Sequence, residues 1–338
     1  MTALAHHLSV FLREYLPRDR AASAHTCDAY AYSLMLLMRF AAQRLSLRPS
    51  QIELAQLDVP CVLGFLAHVE EQRGNSARSR NARLAAIKSF FRYLEFNVPE
   101  CIEQARRIHG IPMKKTDEPL VAYLNRDEIQ ALLDAPDPSM AWGLRDMAML
   151  HLAYACGLRV TELVSLRLDQ FDARTPPTIR VIGKGRRERA LVLWKETTAV
   201  LNAWIAVRPA ASDPEVFLNS CGRAMTRAGF TYILGKHART AAEQQGSIAE
   251  KRVTPHILRH SCAMHILQAT GDVRKVSLWL GHATIQSTEI YLRADPIEKL
   301  DMLGMVTPPA LKRGKFQVPD KLMAMFRDTS QTTKLCKA

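Results

Sequence analysis

The sequence predicts a mainly α fold with a small antiparallel β-sheet. Three observations carry this. Apolar residues recur at spacings of three and four through about the first 110 positions. Two short β-rich runs then flank a charged tip bracketed by glycines, Gly183-Lys-Gly-Arg-Arg-Glu188. Cap residues and stop glycines return beyond residue 196. A length of 338 residues suggests two domains, at roughly 100–200 residues each.

Each element has a local cause. Ser23 or Thr26 can cap a helix whose inner stripe is Tyr30, Leu34, Leu37, Met38 and Ala41. Asp58 before Val59-Pro60 starts a second helix, because proline suits the first turn, and Val62, Phe65, Leu66 and Val69 carry it toward Gly74. A third helix is expected from about Ser76 to Phe96 on the stripe Leu84, Ile87, Phe91 and Leu94. The aperiodic stretch from Pro112 to Pro119 reads as a linker. The expected organisation is therefore a helical domain over 1–112, a linker over 113–119, a second domain over 120–306 and a basic tail over 307–338. Within the second domain Asn125 and Glu128 form a capping box, and a helix over Leu144–Cys156 ends at Gly157. The runs Thr178–Ile182 and Arg189–Leu193 form a β-hairpin.

Composition narrows the function classes. Nearly half the residues (48%) are apolar, against extended disorder. The best apolar stretch, Ala29 to Ala42, contains Arg39, so no membrane span is expected. Seven dispersed cysteines without a C-x-x-C pair suggest neither a disulfide framework nor a cysteine zinc site, and a reduced, cytoplasmic protein is the simple reading. The formal net charge of +13 points to a polyanion, most often nucleic acid. Arg73, Arg78, Arg80, Arg83, Lys88 and Arg92 lie in one stretch without an acid, and this one-sided charge among Asn75, Ser76, Ser79 and Asn81 favours phosphate contacts over a merely solvated face.

The residues able to carry chemistry cluster in the second domain. Thr254 caps and Pro255 opens a helix that Gly271 stops, so His256 and Arg259 share a face near its N-terminus, where N–H groups and the dipole suit a phosphate. His256 and His260 are four apart, but a zinc protease would need Glu where Ile257 stands. Leu280-Gly281-His282 closes the next helix, and Tyr291 follows nine residues later. Upstream, Gly157-Leu-Arg159 makes a corner where Glu162 can fix the guanidinium. Taken singly, His282 is a turn residue, Tyr291 core packing, and Arg159 with Glu162 a surface ion pair worth under ~1 kcal/mol.

Together, Gly157-Leu-Arg159…Glu162, Lys184 in the hairpin, His256-x-x-Arg259-His260, Leu280-Gly-His282 and Tyr291 resemble, in order and spacing, the tyrosine recombinases of the phage-integrase type. The likeness extends over nearly the whole chain and to the integrase/recombinases of bacterial mobile elements. It implies a SAM-like helical core-binding domain before the catalytic domain, the two closing on duplex DNA as a C-shaped clamp. It implies Tyr291 as nucleophile forming a 3′-phosphotyrosyl bond, Arg159 and Arg259 as the phosphate clamp, and Lys184 as the acid for the departing 5′ oxygen. His256 would transfer protons around the tyrosine, His282 would donate to the phosphate, and Glu162 would buttress the site. His260 is expected to be structural, joining its helix to neighbouring backbone, and Cys262 to be a packing variation. No cofactor, metal or ATP is implied. The implied partners are double-stranded DNA, further copies of the chain (a dimer per site, a tetrameric synapse) and, as in some transposons, sister recombinases. Leu322, Met325 and Phe326 sit at helical spacing in the tail, which in relatives packs into a neighbouring protomer.

Two other readings stand beside this one. A type IB topoisomerase shares the tyrosine chemistry but relaxes supercoils generically. A non-catalytic DNA-binding protein would be expected to have lost at least one member of the set from Arg159 to Tyr291.

Overall fold

The computed structural model describes residues 3–117, 119–183, 187–282 and 284–294. The chain divides into two compact units, one ending at Pro119 and the other starting at Leu120. Lys184 and the tail, including the candidate packing helix, lie outside the described residues.

The first unit is all helical. Helix α1 (Ala3–Val10) runs on into a π-helical stretch (Phe11–Asp19), followed by α2 (Ala24–Leu45), α3 (Val59–Glu71), α4 (Ala77–Asn97) and α5 (Ile102–His109). Ser23, Asp58 and Ser76 are the N-caps of α2, α3 and α4, each accepting an N–H three residues on. The expected stripe of α4 (Leu84, Ile87, Phe91 and Leu94) is fully buried and packs with Phe65, Leu66 and Val69 of α3. Lys114 is tied back to this unit: its N–H donates to Asn81 Oδ1 at 3.0 Å and its ammonium pairs with Glu70 at 2.8 Å.

The second unit comprises α6 (Arg126–Asp134), α7 (Ala141–Ala155), α8 (Val160–Val164), strands β1 (Phe171–Asp172), β2 (Thr178–Ile182) and β3 (Glu188–Val192), then α9 (Lys195–Val207), α10 (Arg227–Gln244), α11 (Pro255–Thr270), α12 (Val273–Leu280) and α13 (Gln286–Ala294). The sheet is antiparallel in the order β1-β2-β3, with Val181 opposite Arg189. The hairpin was legible; β1 was not, because two residues carry no alternation. Helix α7 begins three residues before the expected Leu144, at Ala141.

Trp204, Phe217 and Phe230 anchor the core of this unit. A buried polar link runs through it: Arg145 grips Asp146 at 2.6 Å, and His237 meets the other oxygen of that carboxylate at 2.9 Å. A second, smaller cluster joins α11, α12 and α13 through Met264, Leu267, Val276, Leu280 and Tyr291. The arrangement is the mainly α fold with a small antiparallel sheet that the sequence predicts.

Candidate active site

Two tight turns bring the candidate residues together. Gly157 ends α7 with φ at +54°, and a Cβ there would stand 2.5 Å from Leu280 Cδ2, so glycine is required on two counts. Arg159 then becomes the N-cap of α8. Gly281 closes α12 with φ at +63°, and a Cβ there would stand 2.9 Å from Arg189 Cδ, so this turn also needs glycine. The turn leaves His282 between α12 and α13.

Arg259, on α11, is only 4% exposed. Its guanidinium donates to the Gly157 carbonyl and, at 2.8 Å, to the Leu280 carbonyl, the last residues before the two turns. One side chain thus ties both corners together. Burial, and then the charge of Arg159, lowers its pKa to about 10, and it stays a cation at neutral pH.

Glu162 joins the arginines. Its carboxylate accepts from Arg159 Nη1 at 2.8 Å and from the Arg159 amide at 2.9 Å. It also accepts from Arg189 Nη2 of β3 at 2.9 Å. Burial pushes this acid up, but the hydrogen bonds from Arg189 and the Arg159 amide outweigh it and hold the carboxyl below its ordinary range. Arg189 was not singled out from sequence. The signal was there in the alternation of β3, which puts Arg189 on the same face as the buried Leu191 and so demands an acid partner.

Tyr291, on α13, is 1% exposed, and burial raises its hydroxyl to about 12. His282 stacks parallel on its ring at 6.5 Å between centroids. His282 Nδ1 meets Thr288 Oγ1 at 2.8 Å, and Thr288 is fully buried, so the ring is oriented with Nε2 left for another partner. Burial, then Arg259, Arg159 and Arg189, lowers His282 to about 4.

His260 departs from expectation. It does not join α11 to neighbouring backbone; its Nδ1 meets Tyr291 Oη at 3.0 Å. The cause is the approach of α13 to α11, which spacing along the chain does not reveal. Burial, then His256 and Arg259, lowers its pKa to about 4. His256, one turn earlier, is exposed, with its ring stacked 6.3 Å from that of His260. Among the described residues no cluster of three or more His, Cys, Asp or Glu could hold a metal ion.

The six basic residues of the first unit divide. Arg80 is 5% exposed and donates to the Pro112 carbonyl at 3.0 Å. Lys88 donates to the carbonyls of His109 and Ile111 at 2.9 and 2.6 Å, which locks the end of α5 against α4. Arg83 donates to Ser33 and lies over the Tyr32 ring. Arg73, Arg78 and Arg92 are exposed.

Comparison with known proteins agrees with this geometry. The family model for the phage integrase family matches residues 122–297, and that for the phage integrase N-terminal SAM-like domain matches residues 11–96. Over 324 residues the chain is 40% identical to the integrase/recombinase y4rC of Sinorhizobium fredii, covering 96% of this chain and 98% of that protein. It is 36% identical over 307 residues to tyrosine recombinase XerD of Listeria monocytogenes, covering 88% of this chain and 97% of the relative. The fold is similar to that of the Tn1549 transposon integrase in complex with transposon right end DNA (TM-score 0.67, 16% identity, 90% of this chain and 99% of that one). It is also similar to that of the XerH site-specific recombinase bound to palindromic difH substrate (TM-score 0.65, 22% identity, 87% and 83%).

Proposed function

The chain belongs to the phage integrase family, the tyrosine recombinases, and from that premise we propose that Tyr291 is the nucleophile of a site-specific DNA strand exchange. As an enzyme of this family the protein cleaves and rejoins DNA strands. The observation that carries the residue assignment is the convergence of Arg159, Arg259, His282 and Tyr291, from four separate segments, around two glycine turns.

The chemistry follows from the groups present. Tyr291 Oη bonds to the scissile phosphorus, the P–O5′ bond breaks, and the DNA stays linked to the protein as a 3′-phosphotyrosyl ester. Arg159 and Arg259 hold the non-bridging oxygens, because two fixed guanidiniums offset the charge of a five-coordinate phosphorus. Lys184, which lies between β2 and β3 in the sequence, protonates the departing 5′ oxygen. His256 assists proton transfer, and His282 donates from Nε2 to the phosphate. Attack by the 5′ hydroxyl of a second strand reverses the step and releases the tyrosine, so strand exchange needs no ATP. The tyrosine assignment is tested on a nicked suicide duplex carrying candidate element ends: a covalent adduct forms with the native chain and disappears with Tyr291→Phe. An adduct that persists in that variant overturns it.

Double-stranded DNA is the substrate, held in part by the exposed Arg73, Arg78 and Arg92 with Arg83 beside them, while Arg80 and Lys88 shape the helix that presents them. Multimeric assembly, with a dimer per site and a tetrameric synapse, agrees with an apolar groove of about 770 Å³ in the second unit. Ile129, Leu133, Trp194, Leu278 and Trp279 line it, and Leu278 is 82% exposed. The tail of a neighbouring copy, with Leu322, Met325 and Phe326 at helical spacing in the sequence, is the occupant proposed for this groove. Deleting the chain beyond Thr307 then impairs synapsis more than cleavage by one protomer; equal loss of both counts against it. A cytoplasmic protein is the reading that free cysteines among the described residues and a DNA substrate support, with sister recombinases as further partners where the mobile element encodes them.

A further inference from the structure

We propose that His260 is a catalytic residue, the group that takes the proton from Tyr291 Oη as this oxygen attacks the scissile phosphate. The proposal rests on Tyr291 being the nucleophile.

Three histidines surround the tyrosine, and geometry separates them. His260 Nδ1 stands 3.0 Å from the hydroxyl, the hydrogen-bond reach required of a base. The ring of His282 runs parallel to that of Tyr291 with 6.5 Å between centroids, and its Nδ1 is taken by Thr288. His256 is exposed and, among the described residues, makes no hydrogen bond to Tyr291; it stacks on His260 instead. The hydroxyl, protonated at neutral pH, donates, so the neutral imidazole of His260 accepts at Nδ1 and carries its own proton on Nε2.

The surroundings make this base dependent on substrate. From its own helix His256 and Arg259 face His260; from the turn after α12 comes His282, and from α13 Tyr291 itself. Arg159 of α8, with Glu162 and then Arg189 of β3, stands behind Arg259. In the free protein burial, His256 and Arg259 keep the ring neutral. A phosphate entering between the two arginines brings negative charge beside the same ring and offsets Arg259. The proton affinity of His260 therefore rises when DNA is bound, which is when the nucleophile must be freed.

The proton count closes. As the Oη–P bond forms, the phenolic proton moves to His260 Nδ1, giving an imidazolium. As the P–O5′ bond breaks, the departing oxygen takes its proton from Lys184. In the rejoining step the incoming 5′ hydroxyl yields its proton to Lys184, and His260 returns the other to the leaving phenolate. No oxidant, metal or nucleotide enters.

His260→Asn is the informative variant, because its amide can still accept a hydrogen bond but cannot hold a proton. Single-turnover cleavage of the nicked duplex should fall about 10²–10⁴-fold with duplex binding retained. The native rate should decline in acid as the base is protonated, and that limb should vanish in His260→Asn, whose rate should climb steadily with pH. A bridging 5′-phosphorothiolate, whose leaving sulfur needs no acid, should rescue Lys184→Ala but not His260→Asn. A native rate, a native pH profile, or phosphorothiolate rescue in His260→Asn overturns the proposal. A measurement independent of that variant's folding uses Tyr291→Phe: the NMR titration of His260 should move to higher pH when intact duplex is added, and an unchanged or lowered value overturns it. The controls separate the two levels. An adduct surviving in Tyr291→Phe refutes the nucleophile, whereas loss there with native behaviour in His260→Asn refutes only the base.

Discussion

Arg189 on β3 donates to Glu162 on α8 at 2.9 Å, and the carboxylate it holds is the one that orients Arg159. The strand β3 is thereby coupled to Arg159, the arginine proposed to hold the phosphate. Glu162 has a side chain only 3% exposed, so removing Arg189 leaves a buried charge held by Arg159 without its second guanidinium. Arg189→Met should cost about 3–5 kcal/mol in urea unfolding and lower cleavage with it. Adding Glu162→Gln should recover part of that stability. Strictly additive losses in the double variant would show that the pair is not coupled.

Gly157→Ala tests the corner itself. A non-glycine residue in the left-handed region costs about 1–2 kcal/mol, and the new methyl would press on Leu280 and Cys262. Because the Gly157 carbonyl accepts from Arg259, cleavage should fall far more than duplex binding. A variant with native stability and native cleavage would remove the turn from the account.

Two half-buried histidines set an acid limit on stability. His260 and His282 are held near about 4 against about 6.5 in an unfolded chain. Between these values the unfolded chain binds protons that the folded chain refuses, so stability is full above about pH 6.5 and is lost as pH falls toward 4. Glu162, depressed below its ordinary value, adds a loss at the acid end of that range. The urea midpoint should therefore drop between about pH 7 and about pH 4.5, and His282→Asn should flatten part of the drop. A midpoint insensitive to pH over that interval would contradict the half-buried, neutral rings.

On α4, position predicts two different outcomes. Arg78→Gln and Arg92→Gln should each reduce the slope of log binding constant against log salt by about 0.9 while leaving stability unchanged. Arg80→Gln, by removing a buried donor to the Pro112 carbonyl, should destabilise the first unit by about 1–3 kcal/mol. An unchanged salt slope in the exposed variants would return this face to simple solvation.

What the sequence made legible was mostly local. Ser23, Asp58, Ser76, Asn125 and Thr254 all cap helices as expected, because each cap depends on residues three positions apart. The corners at Gly157, Gly271 and Gly281 and the presence of the hairpin were readable for the same reason. Roles set by tertiary approach were not. His260 looks like any inward histidine until α13 brings Tyr291 against it. Arg80 and Lys88 look like their exposed neighbours until the carbonyls after α5 arrive. Thr288 reads as an ordinary helix residue until His282 turns onto it.

The central claim is that one of the eight tyrosines in the chain becomes covalently joined to DNA. The most direct measurement traps the adduct on a suicide duplex, digests protein and DNA, and locates the nucleotide-bearing peptide by mass spectrometry. The account predicts a 3′-phosphonucleotide on Tyr291 alone, in the peptide running from Val276 to Arg293 once tryptic cleavage is complete. A nucleotide on Tyr154, Tyr123 or any residue other than Tyr291 would contradict it.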